Sequence, residues 1–170
     1  MTTQIAKKRT DIVLGLGQHR VAKGEDTVLV CLGLGSCVSI GAYDPVSKVG
    51  GMAHMVLPSS SEGRTNGQPN AKFVDWAIPM LIEEMKELGA LKSRLIIKIV
   101  GGAQMVNAQG NIGVLQIGDR NVEATKAILA ELGLPLHGEA TGGKHGRTSR
   151  LYLDSGMFCV SIAGGDTNEL

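Results

Sequence analysis

Cys37 and His54 are the two side chains of this sequence whose types and spacing favour covalent chemistry. Cys37 ends the motif Gly33-Leu34-Gly35-Ser36-Cys37, which interrupts an apolar, β-prone run, and His54 lies seventeen residues later at the centre of a second apolar run. A thiol is mostly protonated at neutral pH, and a neighbouring base makes it a better nucleophile. The pair therefore indicates a cysteine–histidine nucleophilic site.

A turn between these two residues predicts that they come together. Asp44-Pro45-Val46-Ser47 has turn composition, with proline at its second position. The runs from Val38 to Tyr43 and from Lys48 to Leu57 read as the two strands of a hairpin. Cys37 lies seven residues before this turn and His54 seven residues after it. A simple hairpin therefore places them opposite or nearly opposite each other.

Less reactive interpretations of both residues remain open. A buried, inert strand cysteine is common, and a single strand histidine is more often a hydrogen-bonded core residue than a catalyst. In the reactive interpretation, Gly33 and Gly35 leave the backbone near the thiol unencumbered. Main-chain N–H groups there, including that of Cys37, can then form an oxyanion hole. Cys31 and Cys159 read as small core residues.

Other glycine-rich motifs carry weaker signals. Thr141-Gly142-Gly143 with Arg147 can cradle an anion, although an ordinary surface loop is the favoured interpretation. It lacks the Gly-Lys-Ser/Thr ending of a phosphate-binding loop. Gly101-Gly102-Ala103 follows a predicted strand without forming a dinucleotide-binding motif. We find no carboxylate pair and no metal-ligand pattern, so no metal or cofactor is predicted.

Composition narrows the class of protein. The 170 residues are 43% hydrophobic and carry a net charge of +1, which gives no reason to expect nucleic acid or an acidic membrane surface as partner. No apolar run approaches the length of a transmembrane helix, and the N-terminus shows no signal-peptide core. We therefore expect a cytoplasmic protein whose three cysteines are free thiols.

The predicted elements indicate an α+β fold. Strands cluster at both ends of the chain, and two helices lie between them, one from Asn70 to Leu88 and one from Asp119 or Asn121 to Leu132. The connection from Gln18 to Asp26 reads as a polar loop, and Ile112 to Ile117 as a short strand. This order favours a mixed, largely antiparallel sheet or sandwich flanked by helices. We expect one domain over 11–163, a flexible arm at 1–10 and a polar tail at 164–170.

Several motifs together resemble the CheD family of chemoreceptor glutamine deamidases. The specific part is the pair Leu32-Gly33-Leu34-Gly35-Ser36-Cys37-Val38 and Gly51-Met52-Ala53-His54-Met55-Val56-Leu57-Pro58. Weaker motifs follow in order along the chain: Gly101-Gly102-Ala103, Asn111-Ile112-Gly113, Arg120-Asn121-Val122, and Thr141-Gly142-Gly143 with Arg147.

The resemblance implies an enzyme that converts selected glutamines of methyl-accepting chemotaxis receptors into glutamates and releases ammonia. It implies Cys37 as nucleophile, His54 as base, no cofactor, and a three-layer, mixed-sheet α/β fold. It also implies a partner, the CheY-phosphate phosphatase CheC, which occupies the receptor-binding surface.

Two positions depart from the family pattern. The family has a threonine that orients the histidine six residues before the cysteine, where this chain has Cys31, a weak hydrogen-bonding group. Ser36 or a main-chain carbonyl can take that role instead. The acidic residue usual before Thr-Gly-Gly is Ala140 here. The alternative function is therefore an adaptor with weak or no catalysis, which binds chemoreceptors and CheC.

Overall fold

The computed structural model describes residues 8–24, 26–104, 116–162 and 164–170. Within these ranges lie ten strands and two α-helices. In chain order they are β1 (Thr10–Leu14), β2 (His19–Lys23), β3 (Thr27–Leu34), β4 (Val38–Asp44), β5 (Val49–Met55), α1 (Val74–Glu87), β6 (Ile96–Gly101), α2 (Ile117–Glu131), β7 (Gly138–Thr141), β8 (Arg147–Tyr152), β9 (Phe158–Ile162) and β10 (Thr167–Glu169). None of the described helices is long and apolar enough to cross a membrane.

The strands form two five-stranded mixed sheets. The outer sheet has the order β1-β3-β8-β9-β10, and the central sheet has the order β2-β5-β4-β6-β7. The pairs β1–β3 and β6–β7 are parallel, and the other neighbours are antiparallel. The predicted α+β class with a largely antiparallel sandwich is therefore confirmed.

The central sheet is covered on both faces, which makes the fold three layers thick. Along β4, Val38, Ile40 and Ala42 belong to the apolar cluster shared with the helices. Tyr43 belongs to the second cluster, which lies between the two sheets. Because successive strand residues point to opposite faces, β4 is buried along its whole length.

A glycine on β4 makes room for one of the few aromatic residues. Phe158 on β9 is 1% exposed and fills the space between the sheets. A Cβ atom added to Gly41 would lie 2.2 Å from Cε2 of this ring. The ring therefore lies directly against the backbone of β4, and burying a side chain of this size contributes about 1.5–3 kcal/mol.

The interpretation of Gln18 to Asp26 as a polar loop was wrong, because this segment contains β2. The strand pairs with β5 from His19–Ala53 to Lys23–Val49 at the edge of the central sheet. An edge strand keeps one side open to water, so polar side chains are tolerated there. His19 in addition forms a hydrogen bond with Glu84 of α1, with 2.9 Å between Nε2 and Oε1.

Both helices begin at residues other than those predicted. Asn70 does not cap α1: its side chain accepts a hydrogen bond from the Lys72 N–H, and the helix begins at Val74 after a β-bridge between Leu57 and Phe73. Helix α2 begins earlier than expected, because Gln116 adopts a left-handed conformation before it. Asp119 and Asn121 therefore lie inside α2 rather than at its cap.

The remaining predictions concern the ends of the chain and one internal segment. The predicted polar tail at 164–170 contains β10, which pairs with β9. The predicted arm at 1–10 falls mostly outside the described residues, and β1 begins at Thr10. The strand predicted at 112–117 also lies mostly outside them, and its last residue, Ile117, opens α2.

A buried carboxylate anchors the turn that joins β4 to β5. Asp44 is fully buried and accepts hydrogen bonds from the N–H groups of Val46, Ser47 and Leu91 and from the Arg94 guanidinium. Burial would raise the pKa of this carboxyl, but the Arg94 guanidinium and the main-chain donors together hold it well below its usual value of 3.8. The turn is therefore fastened to the segment before β6.

We expect Asp44→Asn to lower the free energy of unfolding by about 3–5 kcal/mol at neutral pH, because it leaves Arg94 without its buried partner. The carboxylate stabilises the fold above its ordinary pKa, and this stabilisation is lost as the pH falls below that value. The variant should therefore lose less stability between pH 5 and 2 than the unaltered protein, measured by urea unfolding. Asp154→Asn, which removes a surface pair with Arg9, is the control and should change the stability little.

Candidate active site

Cys37 lies where the chain passes from the outer sheet to the central sheet. Strand β3 ends at Leu34 and β4 begins at Val38, so Gly35, Ser36 and Cys37 form the connection, which we call the crossing turn. Cys37 is half-buried, whereas its neighbours in β4 are buried. The thiol is thus held by the fold and still reachable from solvent.

All three carbonyl groups of the crossing turn accept hydrogen bonds. The donors are Ala103 N to Gly35 O (2.8 Å), Asn121 Nδ2 to Ser36 O (2.9 Å) and Gly102 N to Cys37 O (2.7 Å). Each bond limits the rotation of one peptide plane. The backbone that carries the thiol is therefore restrained by the end of β6 and by α2.

His54 lies on β5, on the same face of the central sheet as Cys37. The register pairs His54 with Ser39 and Val38 with Met55, so Cys37 is two residues away from the position opposite His54. The predicted hairpin is present, but its connection is two residues longer than the count assumed, because Asp44 pairs with Val49 and not with Ser47. Residues in such diagonal positions are about 7–8 Å apart, a distance that an aromatic side chain such as that of His54 can partly span.

A main-chain carbonyl sets the orientation of the His54 ring. Nδ1 lies 3.1 Å from the Leu14 carbonyl oxygen at the end of β1. Because a carbonyl only accepts, Nδ1 carries the proton, and Nε2 of the neutral ring has a free lone pair. Nε2 is buried and has no hydrogen-bond partner among the described residues. The histidine is therefore prepared to take a proton from a group beside it.

The segment after β1 also holds the main chain of His54. Gly17 N–H donates to the His54 carbonyl, and the His54 N–H donates to the Gln18 carbonyl, both at 2.9 Å. With Leu14 on the ring, this connection contacts His54 at three points. The position of the histidine thus depends on how β1 leads into β2.

Burial keeps both reactive groups neutral. It raises the pKa of the Cys37 thiol above its usual 9.0, partly opposed by the residue's own N–H group, which stabilises the thiolate. Burial also lowers the pKa of His54 below its usual 6.5, partly opposed by the bond to Leu14. A neutral thiol and a neutral imidazole suit general-base activation at the moment of attack, rather than a resting ion pair, and no hydrogen bond joins the two groups among the described residues.

Cys31 occupies a different part of the site. It lies on β3, opposite Ser149 and beside Leu14, and burial raises the pKa of its thiol to about 12, partly opposed by a hydrogen bond with Ser149. Ser149 Oγ also lies 2.7 Å from Ser39 Oγ, and Ser39 is the residue opposite His54. Cys31 is therefore a neutral thiol in a small polar network with Ser149 and Ser39, next to His54 in the strand pairing.

The other predicted motifs have structural contacts. Arg147 donates to the Gly142 carbonyl at 2.7 Å, so its guanidinium closes the Thr141-Gly142-Gly143 loop on itself. In the part of the chain that the structure describes, no group of three or more His, Cys, Asp or Glu side chains is placed to hold a metal ion.

The sequence did not predict three contributors to the site. Leu14 acts through its carbonyl, which leaves no signature in side-chain type. Asn121 was interpreted as a helix cap because asparagine is common there. Gly101-Gly102 was treated as a weak motif, although it approaches the crossing turn so closely that a Cβ on Gly101 would lie 2.2 Å from the Cys37 oxygen. A paired glycine directly after a buried strand was the available signal.

Side chains arranged in this way can perform thiol-based acyl transfer, which is the chemistry of cysteine hydrolases and amidases. Comparison with known proteins identifies the family. The profile of the family described as "CheD chemotactic sensory transduction" matches residues 56–162, which is more than half of the chain. The chain therefore belongs to the CheD family.

Whole-length relatives extend the match across the site. A "Probable chemoreceptor glutamine deamidase CheD" from Symbiobacterium thermophilum is 44% identical over 157 residues, covering 92% of this chain and 95% of the relative. The "Chemoreceptor glutamine deamidase CheD" of Thermotoga maritima is 44% identical over 159 residues, with 93% and 96% covered. Among solved structures, the Bacillus licheniformis hypothetical protein YfiH aligns with a TM-score of 0.44 and 13% identity over 80% of this chain and 60% of its own. A similarity of that degree does not indicate a function.

The pKa directions predict how Cys37 reacts with iodoacetamide. Since the resting thiol is neutral, we expect the alkylation rate to rise about tenfold per pH unit from pH 7 to 9, as the thiolate fraction does. Peptide mass spectrometry separates Cys37 from Cys31 and Cys159. A rate that is already constant from pH 6 to 8 would mean a resting thiolate–imidazolium pair and would contradict this description.

Gly101→Ala should disturb the crossing turn more than Gly133→Ala does. Both glycines have positive φ angles, 119° and 63°, where a Cβ costs about 1–2 kcal/mol. At Gly133 nothing lies within 4 Å of the added Cβ, whereas at Gly101 it meets the Cys37 carbonyl. We expect a larger fall in melting temperature and an altered Cys37 alkylation rate in the Gly101 variant alone. Equal effects of the two substitutions would show that the close approach does not matter.

Proposed function

We propose that this chain hydrolyses the side-chain amide of selected glutamines on methyl-accepting chemotaxis receptors. The products are glutamate and ammonia. The observation that supports the proposal is a buried imidazole whose proton is on Nδ1, on the same sheet face as Cys37, in a chain of the CheD family. Relatives that align over nearly their whole length bear the name chemoreceptor glutamine deamidase.

The reaction begins with proton transfer from the Cys37 thiol to Nε2 of His54. The sulfur attacks the amide carbon of the glutamine, and the carbonyl oxygen becomes an oxyanion beside the Cys37 N–H. His54 then gives its proton to the departing nitrogen, so the C–N bond breaks, ammonia leaves and a thioester remains on Cys37.

Water completes the reaction. His54 removes a proton from the water molecule that attacks the thioester, and the C–S bond breaks as the proton returns to the sulfur. The receptor is left with a carboxylate in place of an amide, which adds one negative charge to its surface. One water molecule is consumed per glutamine, the carboxylic acid gives its proton to ammonia, and no metal or organic cofactor is required.

The proposal also includes a location and a partner, and the partner is what the resemblance implies. We propose that the protein acts in the cytoplasm. We also propose that a CheC-type phosphatase binds the surface that receives the receptor. The statement on the phosphatase rests on the family motifs of the sequence.

A mass-shift assay tests the proposed reaction. Purified receptor fragment is incubated with the protein, and peptide mass spectrometry detects conversion of glutamine to glutamate, a gain of about 1 Da. We expect Cys37→Ala to abolish the conversion, because removing the attacking group costs orders of magnitude in rate. Cys159→Ala, which removes a buried thiol on β9, is the matched control and should retain conversion.

Substitutions of Cys31 distinguish the two functions that the sequence left open, a deamidase and an adaptor with weak or no catalysis. Because the Leu14 carbonyl orients His54, we expect Cys31→Ser to retain deamidation within about tenfold, which is the effect of about 1.4 kcal/mol. If the unaltered protein leaves every host receptor unchanged and Cys31→Thr restores conversion, the chain is an adaptor with an impaired site. Conversion by Cys37→Ala would instead refute the cysteine mechanism.

A further inference from the structure

The side-chain amide of Asn121 bridges the two segments that carry Cys37 and His54. Asn121 lies in α2 and is fully buried. Its Nδ2 donates to the Ser36 carbonyl and to the Val56 carbonyl, both at 2.9 Å. Ser36 immediately precedes Cys37, and Val56 follows His54 by two residues. One nitrogen thus uses both of its protons to join the crossing turn to the end of β5.

This bridge lies where the pairing of β4 with β5 ends. The last pair of the ladder is Val38 with Met55, and the next residues of both chains turn towards α2. Beyond this last pair, the amide of Asn121 connects the two strands by its hydrogen bonds to Ser36 and Val56. The two catalytic residues are therefore held together on one side by the ladder and on the other by this side chain.

The bond to Ser36 determines where the Cys37 N–H points. In a planar trans peptide, the N–H group lies on the side opposite the preceding carbonyl. Because the Ser36 carbonyl points at Asn121, the Cys37 N–H points away from α2. It lies near the residue's own sulfur, where it acts on the thiolate. An acyl group attached to that sulfur would place its oxygen in the same region.

Helix α2 provides a rigid support for the amide. A Cβ on Gly118 would lie 2.6 Å from the carbonyl oxygens of both Gly102 and Ala103, so the first turn of the helix lies directly against the end of β6. One turn further on, the buried Thr125 hydroxyl donates to the Asn121 carbonyl at 2.7 Å. The helix therefore has little freedom to move Asn121 away from the crossing turn.

The amide has an unsatisfied atom that packing alone does not explain. Oδ1 of Asn121 is buried and has no hydrogen-bond partner among the described residues. An apolar side chain at this position would avoid the cost of leaving a buried acceptor unpaired. The two bonds of Nδ2 are the compensating feature, and both end on the segments of the candidate active site.

We propose that Asn121 is a positioning residue that aims the Cys37 N–H at the oxygen of the acyl group during attack. It acts through the Ser36 peptide and does not touch the substrate. The inference rests on Cys37 as the nucleophile of the proposed function, but not on the identity of the substrate. The oxyanion donor is thus set by a helix that is distant in sequence from the cysteine.

Two reactions of the same sulfur test this role. Acylation by p-nitrophenyl acetate passes through a tetrahedral oxyanion: the S–C bond forms, the C–O bond breaks and p-nitrophenolate leaves. Alkylation by iodoacetamide displaces iodide and forms no oxyanion. Both are followed on the full chain by the mass of the Cys37 peptide, with Cys37→Ala as background. Neither reaction needs a receptor, so a failure of the proposed deamidation does not affect the result.

We expect Asn121→Ala to slow acylation by about 10- to 100-fold, somewhat less than the loss of an oxyanion donor outright. The alkylation rate and its pH dependence should change less than about threefold, since thiolate formation is left to His54. Leu129→Ala is the matched control, because it removes a buried side chain from the same helix about two turns beyond Asn121. It should leave the ratio of the two rates unchanged.

Equal losses in both reactions would overturn the proposal, because they would show a general structural role. No loss in either reaction would overturn it as well. If Asn121→Ala does not fold, Asn121→Ser is measured in the same way, since its hydroxyl can donate one of the two bonds. A receptor assay that fails with the unaltered protein while acylation remains sensitive to Asn121 would refute the proposed substrate and support the positioning role.

Discussion

The hydrogen bond between Nδ1 of His54 and the Leu14 carbonyl joins the two sheets at the candidate active site. The ring proton is therefore on Nδ1, which faces the outer sheet, and the lone pair is on Nε2. Leu14 is in position because β1 runs parallel to β3, with Leu14 beside Cys31. The base character of a histidine on the central sheet therefore depends on the edge strand of the other sheet. A change in the β1–β3 register would move the carbonyl and release the ring.

Burial and restraint act together at this site. Low polarity around Cys37 and His54 favours the neutral form of both, so the resting site does not hold a buried ion pair that would need further partners. The three hydrogen bonds to the crossing turn keep the backbone in place while the thiol stays partly open to solvent. A glycine at position 101 permits this arrangement, because any side chain there would occupy the space of the Cys37 carbonyl. The layer of helices thus contributes to a site whose reactive groups are all on strands and turns.

Sequence reasoning succeeded where local rules operate. The hairpin between β4 and β5 followed from one turn and two apolar runs, and it brought Cys37 and His54 to one face of the sheet. The α+β class followed from the order of strands and helices. The same rules failed at β2, whose polar residues are tolerated because it lies at the edge of a sheet. They also failed at the helix starts, where a β-bridge and a left-handed residue overrode the preference of asparagine and aspartate for capping positions.

The amino-acid sequence by itself determined the candidate reactive pair, the hairpin that brings it together and the resemblance to the CheD family, because these depend on residue type and short-range spacing. The tertiary structure decided which group orients His54, where Cys31 belongs and what Asn121 contacts. The groups that bind His54 and Asn121 are main-chain carbonyls of distant segments, and every residue has such a carbonyl regardless of its type. Their use depends on register and on the packing of layers, which emerge only when the whole chain is folded. Cys31 shows the difference most clearly: its position in the sequence marks a departure from the family pattern, and only its contacts show that it belongs to a buried polar network with Ser149 and Ser39.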